Sequence, residues 1–176
     1  MRNLFLSLVL FATMFAFAQG NYDELTGIEW EKDSVYLWSK DTTYTFPVTA
    51  NAFGVSLSVR DYNASVSLRN KSDKPIEVNW NGFLFYVNEK WDATKVDYVG
   101  EKYEKVYKNE SVTHAFSRSF GARTTKLLGL SDFEKIRKKT KNPVDVKVEV
   151  YVNVIYNEES FMVRYAKYGK YVGKRK

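Results

Sequence analysis

Between residues 144 and 155 valine recurs at every second position. Val144, Val146, Val148, Val150, Val152 and Val154 are separated by Asp145, Lys147, Glu149, Tyr151 and Asn153, with Ile155 closing the run. A period of two is the repeat of a β-strand, whose successive side chains leave on opposite faces; a helix needs apolar residues every three to four positions. One apolar and one mostly polar face predict an antiparallel strand with the core on one side and water on the other. Asn157-Glu158-Glu159-Ser160 reads as a hairpin loop. On the return strand Phe161, Val163 and Tyr165 alternate with Met162 and Arg164. A long C-terminal hairpin thus anchors the fold.

The same period appears earlier in the chain. Val55-Leu57-Val59 alternates with Ser56-Ser58-Arg60, and Val66-Leu68 with Ser67-Arg69. Asn70-Lys71-Ser72-Asp73-Lys74-Pro75 has the composition of a turn: Asn, Ser and Asp bond back to nearby backbone and Pro fixes φ. Ile76, Val78 and Trp80 then alternate with Glu77 and Asn79. Asn81-Gly82 predicts either a tight hairpin into Phe83–Val87 or a bulge within one bent strand. Tyr44, Phe46 and Val48 suggest another strand, which Pro47 confines to an edge. Val35–Trp38, Lys95–Val99 and Lys102–Tyr107 add short ones. One stretch reads helical: Ser131-Asp132-Phe133-Glu134 has the spacing of a capping box, and Asn142-Pro143 stops the helix after about eight residues. Short strands with turn signals every 8–12 residues or so are the pattern of a β-sandwich, with a partly closed barrel as competitor.

The first residues belong to a different regime. Arg2, the apolar run Leu4 to Phe17 and the small residues of Ala16-Phe17-Ala18 make the three parts of a secretory signal. The run falls short of the roughly 20 residues that span a bilayer. Residues 1–18 are therefore expected to be a signal-peptide helix cleaved near Ala18-Gln19. Residues 19–176 are expected to form one soluble, extracytoplasmic domain without a transmembrane helix. The chain has no cysteine, which excludes a lipid-modified N-terminal Cys, disulfides, a thiolate metal site and a Cys nucleophile. With 27 Lys and Arg against 21 Asp and Glu the net charge is +6, and loss of Arg2 lowers it by one. So modest an excess speaks to solubility and weak attraction for anions, and nucleic acid is not an expected partner of an exported chain.

The stretch Val66 to Trp80, VSLRNKSDKPIEVNW, resembles the immunoglobulin-like β-sandwich modules of uncharacterised exported bacterial proteins. There a strand ends in Asn, a turn of this composition comes next, and the following strand carries a buried Trp. Val96-Asp97-Tyr98-Val99-Gly100 and the final hairpin stand in the order of such modules, so the resemblance spans about residues 50–165. It implies an all-β immunoglobulin-like antiparallel sandwich with one short helix and a place outside the cytoplasm. It implies no activity, since a fold does not fix function.

Motifs of chemistry are absent. The sequence has no Gly-rich phosphate loop, H-E-x-x-H, G-x-S-x-G or EF-hand loop. The one histidine, His114, alternates with Thr113 and Ala115 as a strand residue does, and a lone His with no Cys cannot build a structural zinc site. No cofactor or metal is expected. Asn63, Asn70 and Asn109 begin N-glycosylation sequons, which matter only in a eukaryotic secretory route. The aromatic content, 13 Tyr and 4 Trp, is the unusual feature. Trp80 belongs to a core face, whereas Trp30, Trp38 and Trp91 show no clear face: they either serve the core and cross-strand pairs, as aromatics of β-sandwiches do, or bind a glycan or another envelope protein through their flat amphipathic rings. Lys135, Arg137, Lys138, Lys139 and Lys141 form a candidate basic patch, or simply a solvated face. The expectation is an exported non-catalytic binding or envelope component. The alternative is a small carbohydrate-active hydrolase using Glu29, Glu31, Asp33 and Asp41 beside Trp30 and Trp38.

Overall fold

A computed structural model describes residues 21–39, 43–91, 96–98, 103–120 and 123–175. At 82, 90–91, 96–98, 118–120 and 123–125 it describes the backbone alone. The signal segment, Lys40 to Thr42 and the carboxylate Asp41 lie outside these residues. The strands are β1 Asn21–Asp23, β2 Ile28–Trp38, β3 Phe53–Val59, β4 Asn63–Asn70, β5 Ile76–Val87, β6 Lys90–Trp91, β7 Val96–Tyr98, β8 Tyr103–Val106, β9 Ser111–Phe120, β10 Arg123–Thr125, β11 Val144–Tyr156 and β12 Glu159–Tyr171. Among the described residues one α-helix, α1, runs from Leu130 to Thr140, and a single 3-10 turn, Ala50–Ala52, precedes β3.

These form an all-β, sandwich-like fold of two antiparallel sheets. The larger has the order β1-β2-β12-β11-β5-β6, with β8 also on β5; the smaller has β10-β9-β4-β3, with β7 also on β9. The chain changes sheet at β2→β3 and β4→β5, on either side of β7, and again at β8→β9 and β10→β11. Strands β3, β4 and β9 of the smaller sheet thus face β5, β11 and β12 of the larger, with the buried side chains of both between them. Strand β2, antiparallel to β12, is an addition at the side.

The valine ladder faces inward. Val148, Val150 and Val154 are fully buried, as are Val78 beside them on β5 and Val66 and Leu68 across the sandwich. Each such side chain stabilises by about 1.5–3 kcal/mol relative to exposure. Trp80 is buried among them and His114 stacks on it, ring centroids 4.5 Å apart.

Several local expectations change. The loop after β11 is a two-residue turn, Asn157-Glu158, with both residues at positive φ (52° and 68°), the geometry that matches strand twist. Asn81-Gly82 makes no hairpin: β5 is one bent strand whose register on β11 shifts between Tyr151 and Asn153. Tyr44, Phe46 and Val48 are not a strand. Their rings pack instead, Tyr44 on Phe46 at 4.9 Å and Phe46 on Phe161 at 6.2 Å. Helix α1 does not use Ser131 as its cap. It starts two residues earlier, at Leu130 with Gly129 as cap at φ 68°, and Asp61 of the β3–β4 hairpin accepts the Leu130 N–H at 3.0 Å. The turn after β4 is a polar hub. Asn70, fully buried, donates to the carbonyls of Lys74 (2.8 Å) and Val106 (3.0 Å) and accepts from the Ser72 N–H (2.9 Å) and hydroxyl (2.6 Å).

Candidate functional site

The register of four strands lays out the outer face of the larger sheet as a grid. Tyr36, Arg164, Tyr151 and Leu84 stand side by side on β2, β12, β11 and β5; the next row is Ser34, Ala166, Glu149 and Tyr86. Trp38, Met162 and Asn153 lie beyond the first row, and Lys32, Tyr168 and Lys147 beyond the second. Strand alternation sends all of these away from the core.

Such a face should be wet, yet Glu149 is only 4% exposed. Arg164 lies over it, donating from Nε at 2.8 Å and also from Nη2, and Lys147 Nζ is 3.2 Å from its other oxygen. The guanidinium is held between two phenol rings, 5.3 Å from the centroid of Tyr36 and 5.8 Å from that of Tyr151. Burial of the Arg164 guanidinium opposes its charge, but the bonds to Glu149 outweigh this and its pKa is raised. Burial, then the Glu149 charge, pushes the Tyr151 phenol up. Tyr151 meets Trp38 edge-on at 5.5 Å and Tyr86 at 5.4 Å, while Lys32 Nζ lies 5.0 Å over Tyr168. The result is a packed platform of aromatic rings around an ion-pair cluster centred on buried Glu149. Beside Trp38 the face drops into a cleft of about 180 Å³ lined by Ser39, Tyr44, Asn153, Ser160, Phe161 and Met162. That is smaller than the roughly 300–1,000 Å³ of pockets for drug-sized ligands, so it suits a single ring or side chain.

The three candidate tryptophans do not come together. Trp38 belongs to the platform. Trp30 is buried at 7% exposure, its ring against Gly169 of β12, where a Cβ would sit 3.0 Å from the indole and 2.5 Å from the Glu29 carbonyl. The missing side chain at 169 makes the slot, and Lys167 Nζ closes it 4.7 Å over the ring. Trp91 pairs with Tyr86 at the far side of the sheet, and its side chain lies outside the described residues. The carboxylates near Trp30 are dispersed as well. Glu29 pairs with Arg175 at 3.0 Å, Glu31 with Lys170 at 3.3 Å, and Asp33 accepts the Tyr165 hydroxyl at 2.7 Å.

Of the basic residues, Lys135, Arg137, Lys138 and Lys139 lie on α1 and Lys141 just past its end. Lys135 is 3.1 Å from Asp132, and Arg137 and Lys138 share Glu134 at 2.9 and 3.5 Å. Positive charge in a last turn is also favoured by the helix dipole. His114 is buried with Nδ1 3.7 Å from Glu104; burial lowers its pKa and Glu104 partly opposes this. Among the described residues no group of three or more His, Cys, Asp and Glu is placed to hold a metal ion, and no helix is long and apolar enough to cross a membrane.

No sequence pattern singles out Tyr36, Tyr86, Glu149, Tyr151, Arg164 or Tyr168, because they meet only through cross-strand register. The one available signal was the pairing of Tyr and Arg with a lone Glu on the polar sides of β11 and β12.

No protein-family model matches the chain, and no curated protein matches it in sequence. Among solved structures it is similar to a "Crystal structure of protein from Archaeoglobus fulgidus", at 12% identity over 84% of this chain and 99% of that one, with a TM-score of 0.40. A likeness of that degree says nothing about activity.

Proposed function

We propose that this is an exported, non-catalytic binding protein of the immunoglobulin-like sandwich type, which engages another envelope protein through the outer face of its larger sheet. The observation that carries this is the Tyr36–Arg164–Tyr151 stack pinned by buried Glu149, with Trp38, Met162 and Tyr86 around it. Tyr, Trp, Arg and Met are the residues enriched where protein partners bind, and side chains already fixed lose little entropy on docking. Export is supported by the signal-like residues 1–18. The dispersed carboxylates favour binding over hydrolysis.

Replacing Tyr36 with a photo-cross-linking amino acid in cells that export the chain should give a covalent adduct with one protein. Trp38→Ala and Arg164→Ala should each weaken the purified pair by about 2 kcal/mol or more, the loss typical of anchor residues. Binding of a glycan array that Trp38→Ala abolishes, without any protein adduct, would replace this partner by a sugar.

A further inference from the structure

We propose that β3 is an acceptor edge, built to be extended by an added strand from an acidic, extended segment of another polypeptide. This goes beyond the platform described above and does not depend on it.

The hydrogen-bond phase of β3 gives the first reason. In an antiparallel ladder, residues bond to the neighbouring strand at every second position. The Arg60 N–H donates to the Asn63 carbonyl at 2.8 Å and the Lys71 N–H to the Ala52 carbonyl at 2.7 Å. The register between these two bonds is unbroken from Phe53↔Asn70 to Val59↔Ala64. Gly54, Ser56 and Ser58 therefore bond to β4, and Val55, Leu57 and Val59 turn their N–H and C=O groups outward. Strand β3 ends the order of its sheet, and those groups have no backbone partner among the described residues.

A second reason is that the edge is undefended. Native edges are usually blunted by charge, proline or a bulge. The sequence of β3, FGVSLSV, has none of these. By contrast, β2 has a register break near Trp30 and carries Glu31, Lys32 and Asp33. Third, the sheets are unequal on this side. Strand β3 packs over β12, while β2 extends further out, so Val35 and Leu37 on its inner side are only half-buried, as is Val55. One more strand beside β3 would roof them.

Charge selects the occupant. Arg60, Arg69 and Lys71 are exposed at the two ends of the edge, whereas the nearby Asp61 is engaged by the Leu130 N–H and lies 3.8 Å from Lys126. Small outer-face neighbours, Ser56 beside Ser67 and Ser58 beside Ser65, leave room for a strand. A second copy of this chain, antiparallel about Leu57, would bring its Arg60 opposite Gly54, next to Arg69 and Lys71, and like charges would repel. The fitting segment alternates apolar residues toward Val35 and Leu37 with acidic or hydroxyl residues outward.

Residue-resolved hydrogen exchange on the full chain tests this, with a synthetic eight-residue peptide alternating valine with glutamate and threonine as probe. Alone, the amides of Val55, Leu57 and Val59 should exchange quickly and those of Ser56 and Ser58 slowly; the peptide should protect the first three. Val55→Pro removes only an outward N–H, which an edge strand tolerates, and should weaken the peptide at least about tenfold. Arg69→Glu should shift preference to a peptide with lysine for glutamate, a readout that survives if the proline variant folds poorly. Protection of the three amides in the isolated chain would overturn the proposal. So would no protection at about 1 mM peptide, the weak limit of specific association. A dimer that Val55→Pro disperses would overturn it in favour of self-pairing.

Discussion

At the scale of single residues, two buried polar side chains carry consequences that the core valines do not. Asn70 uses both amide hydrogens and its carbonyl to tie the β4–β5 turn to the end of β8. Aspartate has nearly the same shape but would face two carbonyl oxygens with a negative charge. Asn70→Asp is expected to cost about 3 kcal/mol or more in denaturant unfolding, as burial of an uncompensated charge does. A loss below about 1 kcal/mol would mean that the hub is solvated. His114 gives a pH signature. Burial holds its folded-state pKa below the ordinary 6.5, so on acidification the unfolded chain takes up the proton first. Stability from this residue is present above about pH 6.5 and is lost as pH falls from there toward the folded value. The fall in melting temperature between about pH 7.5 and about pH 5.5 should shrink in His114→Gln; an unchanged slope would show that other groups cause it.

At the scale of elements, the cap of α1 shows where local sequence rules stop. Ser131 has the spacing to cap, yet its hydroxyl takes a bond from Lys126, and Asp61, 69 residues before Leu130, caps the helix. Asp61→Ala is therefore expected to cost about 1–2 kcal/mol by thermal or denaturant unfolding, with Ser131→Ala nearly neutral; the reverse order would restore the local cap. Legibility follows the same division. Strands β11 and β12 were readable because valine and aromatic alternation runs without a phase break. Strand β2 was not: its inward residues include Asp33, and the register shift opposite Tyr168 and Gly169 puts Trp30 and Val35, five apart, on the same inner side. A period-two scan breaks at such a point, so only Val35–Trp38 is visible as a strand and Trp30 shows no clear face. The aromatic platform was hidden for another reason. Its members are individually ordinary polar-face residues, and only the pairings Tyr151↔Arg164 and Arg164↔Tyr36 bring them together.

For the whole molecule, the first and last described segments are tied to each other. The Tyr22 hydroxyl donates to the Gly173 carbonyl at 3.2 Å and accepts the Arg175 N–H at 2.8 Å, with the Arg175 guanidinium 4.2 Å over its ring. Between them Gly27, at φ 72°, receives the Val172 N–H on its carbonyl; a Cβ there would lie 2.8 Å from Gly173. The N- and C-terminal segments thus brace each other through Tyr22, the fourth residue after the expected cleavage point. A chain beginning at Gln19 should therefore unfold at the same midpoint as one retaining residues 1–18. One beginning at Glu24, which lacks β1 and both bonds of Tyr22, should lose about 1–3 kcal/mol. The same boundary makes export testable: protein recovered outside the cytoplasm should have the intact mass of residues 19–176. Recovery of chain that still carries Met1, held in the membrane fraction, would mean that the apolar run is an anchor rather than a cleaved signal, and the proposed binding face would then lie near a membrane surface.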